Sequence, residues 1–279
     1  MISVLLWFLK LGLGLLVLIT VLLFIFQAKI IYHPRPYRAD YARLIPPRGV
    51  EIEYNLPCGK QTAFYIPPKS ADDPTTVPQR LWMMFGGNGS LALFWSETVR
   101  NSSDPDAAFL LVDYPGYGKC DGKPSPVAIQ EGSEAALSGL ARFLKTSPSQ
   151  LETDLNVGGH SLGAAAALQF AVRHSVKRAV LVAPFTTMRE MAREVVGRFF
   201  ALLLTHQYDN RARLAELGQH VPLPRITILH GDADPVIPIR MSRELAAAFP
   251  GLVTLHEIQG ADHVTVLDAV GPYLDDETP

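Results

Sequence analysis

Residues 155–174 read LNVGGHSLGAAAALQFAVRH, and the character of the chain changes twice within them. Leu155–Gly158 is a short apolar run of the length expected of a buried strand. It ends in Gly159-His160-Ser161-Leu162-Gly163, and Gly163–His174 then has helical composition. A serine between two glycines, with a strand before and a helix after, sits on a sharp turn that lifts its hydroxyl above a sheet. The glycines leave room for neighbouring backbone to approach. The helix that starts at Leu162 points unpaired N–H groups and the positive end of its dipole at any negative charge that develops beside Ser161. A plain glycine-rich connector is the alternative, and the rest of the chain decides between them.

Outward from this stretch, short β-prone runs recur at Leu81–Phe85, Phe109–Val112, Ala179–Val182, Ile226–Leu229 and Val253–Ile258. Helical patterns lie between several of them, at Val127–Leu144 and Ile239–Phe249. This is the spacing of βαβ units, which predicts an α/β fold with a mostly parallel central sheet flanked by helices. In such sheets chemistry collects at the carboxyl ends of the strands.

Two further strand ends carry suitable groups. Ile226–Leu229 runs into His230-Gly231-Asp232-Ala233-Asp234-Pro235-Val236, and Val253–Ile258 runs on to Asp262-His263. A serine hydroxyl is a weak nucleophile and needs a base; an imidazole base needs a carboxylate to fix its tautomer. Among the eight histidines, His263 has both the right order after Ser161 and a place past a strand end. His160 is expected to pack into the turn, His230 to support the acid's loop and His256 to be a sheet residue. Asp232 and Asp234 compete for the acid. The strand Leu81–Phe85 ends in Gly86-Gly87-Asn88-Gly89, placed to offer the Asn88 N–H beside that of Leu162 as a pair of oxyanion donors.

Composition narrows the class. The chain has 279 residues, 25 Lys+Arg against 27 Asp+Glu, 48% hydrophobic and 19% charged residues, which excludes wholesale disorder and leaves no basic footprint for nucleic acid. Cys58 and Cys120 are too few for a disulfide scaffold and lack zinc-ligand spacing. The apolar excess is concentrated at the start: Leu11–Phe26 has no charge, and either Leu11–Ile31 or Ile2–Phe26 suffices to cross a bilayer. A cleaved signal peptide is the rival, but Phe26-Gln27-Ala28 is a poor cleavage site, so an uncleaved anchor is preferred. Lys29, Arg35, Arg38 and Arg43 follow the span, and by the positive-inside rule the remainder of the chain leans cytoplasmic. The expected division is a membrane anchor over 1–31, an extended linker over 32–48 and one folded domain over 49–279. Residues 188–219 are read either as a small cap over a cleft or as an ordinary core helix.

Taken together, F-G-G-N-G, D-Y-P-G-Y-G (Asp113–Gly118), G-H-S-L-G, A-P-F (Ala183–Phe185), H-G-D-A-D-P-V and the final D-H resemble the α/β-hydrolase superfamily. With the N-terminal apolar segment ending in I-I-Y-H-P, the chain looks like a membrane-anchored branch of monoacylglycerol- and lysophospholipid-lipase-like and depalmitoylase-like enzymes. The resemblance implies an acyl hydrolase without cofactor or metal, acting on an ester or thioester substrate that is a membrane lipid or a lipidated protein. It assigns the acid to Asp234, which precedes Pro235-Val236, giving a triad of Ser161, Asp234 and His263 with Asn88 and Leu162 as the oxyanion hole. Two departures stand out. Gly86 replaces a usual histidine, which removes a loop-bracing group, and Cys120 stands where serine is usual, as a packing swap. A serine peptidase and a non-catalytic scaffold on the same fold are the competing expectations.

Overall fold

The computed structural model describes residues 2–275. Its strands are β1 (Val50–Leu56), β2 (Gly59–Ile66), β3 (Arg80–Phe85), β4 (Ala107–Val112), β5 (Leu155–His160), β6 (Val176–Val182), β7 (Arg225–Gly231) and β8 (Val253–Ile258). The helices are α1 (Ile2–Ile31), α2 (Ser96–Asn101), α3 (Pro126–Phe143), α4 (Pro148–Leu151), α5 (Leu162–Ala171), α6 (Met188–Ala201), α7 (Asn210–Leu217), α8 (Arg240–Ala248) and α9 (Gly271–Leu274). All eight strands form one sheet in the order β1-β2-β4-β3-β5-β6-β7-β8. The first two are antiparallel additions; from β4 to β8 every pairing is parallel. The expected α/β architecture is therefore present. The antiparallel β1–β2 pair lies outside the βαβ pattern from which it was read.

Alternation along β3 explains why both faces are covered. Leu81, Met83 and Phe85 enter one core with Leu137 and Leu140 of α3 and Leu168 and Phe170 of α5. Trp82 and Met84 enter a second core with Trp95, Val99, Leu267 and Leu274. Every residue of β5 is buried, so the strand that delivers Ser161 lies in the middle of the sheet with no freedom to shift.

α1 is long and apolar enough to cross a membrane by length and composition. Its described side chains up to Ile19 are exposed, and cover begins only near its end, at Thr20, Leu23, Gln27 and Ile31. Residues 32–48, expected to be an extended linker, run on in extended form only as far as a 3-10 turn at Tyr41–Leu44, and are tied down at intervals. Tyr32 is buried, the Tyr37 hydroxyl donates to Asp113 at 2.8 Å, and the Gly118 N–H donates to the Arg35 carbonyl at 2.9 Å. The stretch 188–219 divides in two: α7 is a core helix, burying Leu214 and Leu217, whereas α6 lies largely outside the core with only Ala201 fully buried.

Candidate active site

Ser161 sits between β5 and α5 with φ 57° and ψ −118°, a left-handed conformation that a serine adopts only when its surroundings impose it. Here the imposition is backbone contact. A Cβ on Gly159 would lie 2.2 Å from the Gly163 carbonyl oxygen, and one on Gly163 would lie 2.2 Å from that of Phe85. The two glycines let β5, α5 and the end of β3 close on one another, and the turn points Ser161 into a cavity of about 410 Å³. His263, Asn88 and Leu162 line the same cavity.

The His263 Nδ1 lies 2.7 Å from the Asp234 Oδ2, whose side chain is fully enclosed. An Nδ1–H donating to the carboxylate leaves Nε2 with its lone pair free to accept a proton. Burial opposes the charge on Asp234. It is outweighed by hydrogen bonds from His230 and His263 and from the amides of Ile237 and Val236, which together hold the carboxyl well below its usual pKa. Asp232 is elsewhere: exposed, with Oδ1 accepting the Gly260 N–H at 2.7 Å, it closes the turn after β8. Among the described residues no hydrogen bond joins the Ser161 hydroxyl to His263; such contacts are often long until a substrate is bound.

Two supporting histidines surround the pair. His230 is buried, with Nδ1 2.6 Å from the Ser242 hydroxyl and Nε2 2.9 Å from the Ile237 carbonyl, which fixes the loop that carries Asp234. His160 has its Nε2 2.8 Å from the His263 carbonyl oxygen and its ring 4.7 Å from the His263 ring. Burial, and then the neighbouring His263, push its pKa down to about 4, so at neutral pH it is an uncharged donor from Nε2. Its Nδ1 then carries only a lone pair, in keeping with the lack of any partner for that buried atom. The sequence reading gave His160 a packing role; in the fold it also holds the backbone of His263.

Among the described residues, neither the Asn88 nor the Leu162 N–H donates a hydrogen bond within the protein. Both are thus free to receive an oxyanion. The loop bearing Asn88 is braced from its carbonyl side: the Tyr114 hydroxyl donates to the Gly86 carbonyl at 2.6 Å, and the Tyr117 hydroxyl and the His33 N–H both donate to that of Asn88. The D-Y-P-G-Y-G motif therefore supplies, through its two tyrosines, the loop support that the glycine at position 86 had seemed to remove. Nothing in local spacing signals this, because the partners are 28 and 29 residues apart. Cys120 lies away from this cavity, buried against Thr62, with burial pushing its thiol up to about 12.

Apart from Gln27, the remaining lining is apolar. α6 contributes Met191, Val195 and Phe200, and the end of α1 contributes Leu23, Ile30 and Ile31. Gly197 breaks α6 at φ 81° and ψ 167°, and the residues after it diverge: Phe200 lines the cavity while Phe199 is exposed.

The strand order, the nucleophile-type turn and the Ser, Asp, His sequence of strand ends are all of one kind. The chain has the alpha/beta-hydrolase fold. Residues 84–222 match the model of the alpha/beta hydrolase family. An esterase of Pyrococcus furiosus superposes with a TM-score of 0.60 at 14% identity, over 88% of this chain and 97% of that one. An alpha-beta serine hydrolase homologue from Coxiella burnetii superposes with a TM-score of 0.54 at 16% identity, over 81% and 97%. In sequence the chain is 27% identical to the protein Rv2307c of Mycobacterium tuberculosis, across 80% of this chain and 75% of the relative. It is 22% identical to YfhR of Escherichia coli K12, across 77% and 70%.

Proposed function

We propose that this alpha/beta hydrolase is a membrane-anchored serine hydrolase that cleaves carboxylic ester or thioester bonds of acyl substrates. The observation that carries the reading is a strained serine and an Asp-paired histidine opening into one apolar cavity. Ser161 Oγ attacks the acyl carbonyl carbon as its proton passes to His263 Nε2, and the Nδ1–H bond to Asp234 stabilises the imidazolium. The Asn88 and Leu162 N–H groups hold the oxygen as it becomes negative. Collapse expels the alcohol or thiol, which leaves with the proton from His263. Water, deprotonated by the same imidazole, then releases the acid and restores Ser161.

The cavity lining favours an acyl chain over a peptide. An aminopeptidase must hold a cationic amine, and no acidic residue is among those that line the cavity. α1, exposed over most of its length, serves as the anchor, and the cations that follow it put the hydrolase domain on the cytoplasmic side. Acid-quenched turnover of a p-nitrophenyl ester followed by mass spectrometry tests the covalent step. The acyl group is expected on the peptide containing Ser161; turnover with an acyl adduct on another residue would refute the assignment.

A further inference from the structure

α1 is too long to be a tether alone. Thirty residues at 1.5 Å each make about 45 Å, against about 30 Å of hydrocarbon. The portion before Thr20, whose described side chains are exposed, accounts for about 27 Å at the same rise. The surplus is the part that docks, and its inward face, Leu23, Gln27 and Ile31, is a wall of the cavity that holds Ser161.

The facing wall is α6. A polar latch ties α1 to the loop that follows α6: the buried Gln27 accepts at Oε1 from the Thr205 N–H at 2.7 Å and from the Thr205 hydroxyl at 2.9 Å, and Nε2 donates back to the Phe24 carbonyl. Above the latch, the side chains that α1 and α6 present to the cavity are apolar, and among the described residues no hydrogen bond joins the two helices. The outer side of the segment is apolar too, with Phe199 and Leu202 exposed to 58% and 63%. Large apolar side chains so exposed beside a membrane span imply a lipid contact, and the exposed Arg189, Arg193 and Arg198 on the same helix suit the headgroup layer.

We propose that the cleft between α1 and α6 is a lateral door onto the bilayer, through which the acyl chain of a membrane lipid ester enters the cavity without passing through water. This rests on the serine hydrolase reading and commits its substrate to a leaflet-resident lipid. α1 is the fixed side of the door, locked by Gln27. The rim of Phe199 and Leu202 sits in the leaflet, and the chain slides along Leu23 and Ile30 until its carbonyl reaches Ser161. Direct entry avoids the extraction of each methylene of the chain into water.

The test uses the full chain in phosphatidylcholine nanodiscs with two substrates, 4-methylumbelliferyl oleate dissolved in the bilayer and 4-methylumbelliferyl butyrate in the aqueous phase. The double variant Phe199→Asp/Leu202→Asp, whose residues do not line the cavity, is expected to lose about tenfold on the oleate, since charges resist insertion, and to keep its rate on the butyrate. Val221→Asp, at an exposed apolar residue in a distant loop, should change neither rate. Equal oleate rates in wild type and rim variant, with butyrate cleaved, would overturn the door and leave the hydrolase intact. Parallel loss on both substrates would overturn it as well, since the rim would then act through the fold. Faster cleavage of an S-palmitoyl peptide than of the oleate in the same discs would overturn the lipid ester. Failure of every substrate, with no serine labelled by a fluorophosphonate, would remove the hydrolase reading itself.

Discussion

At the scale of single residues, identity follows from what each position is forced to do. Asp234 is enclosed and accepts from two amides and two histidines, while Asp232 merely closes a turn in solvent. Asp234→Asn should therefore lower kcat by about 10³–10⁴, as the histidine loses its tautomer, and Asp232→Asn should leave it within a few-fold; steady-state ester hydrolysis compares them. His160 predicts a pH effect on stability. Its folded pKa of about 4 lies below the ordinary 6.5, so its contribution is complete above about pH 6.5 and is lost as pH falls to about 4. Asp113, raised to about 6 by burial, and His174, where two carboxylates outweigh burial and raise the pKa, act in the opposite sense. The difference between wild type and His160→Gln isolates the effect. The variant should lose about 1 kcal/mol of acid sensitivity per pH unit in that window, read from thermal unfolding in detergent; unchanged sensitivity would refute it. Ser161, His263 and the glycines around them were legible in the sequence because a turn between strand and helix leaves few residue choices. The supporting bonds from Tyr114 and Tyr117 were not, because a hydroxyl reaching a distant carbonyl leaves no periodic trace.

At the scale of elements, β3 to β8 were legible through their apolar runs, each end falling within three residues and both ends of β8 coinciding. The antiparallel pair β1–β2 has no helix between its strands and so fell outside a search for βαβ units. The end of α1 was harder still. Hydropathy marks Leu11–Phe26 as lipid-like but says nothing of a helix that continues to Ile31 and turns Leu23 and Gln27 into the domain. Just after it, the His33 N–H donates to the Asn88 carbonyl at 2.9 Å, so the exit from α1 braces the Asn88 loop through backbone alone. His33→Pro, which removes that N–H, is expected to lower kcat about tenfold with KM little changed, while His33→Ala keeps wild-type kinetics. Equal losses in the two variants would mean that the side chain matters. In α5, Gly163→Ala would drive a methyl into the Phe85 and Gly86 carbonyls, and should destabilise the fold by about 3 kcal/mol or more, seen as a lowered unfolding midpoint.

At the scale of the whole molecule, one sheet brings three chain-distant segments to a single rim, and the end of α1 completes the cavity they share. An apolar cleft walled partly by the end of α1 gives the long apolar N-terminal helix a place in the fold. The convergence of Ser161, Asp234 and His263 on one rim was readable from their order and their places at strand ends; the enclosure was not, because it depends on where a helix outside the sheet comes to rest. The central claim is that Ser161 is an activated nucleophile with His263 as its base. Fluorophosphonate labelling of the detergent-solubilised full chain, beside Ser161→Ala and His263→Ala, tests it most directly. The account predicts a labelled wild type and no label in either variant; a folded wild type that resists the probe, or a label that survives in Ser161→Ala, would contradict it.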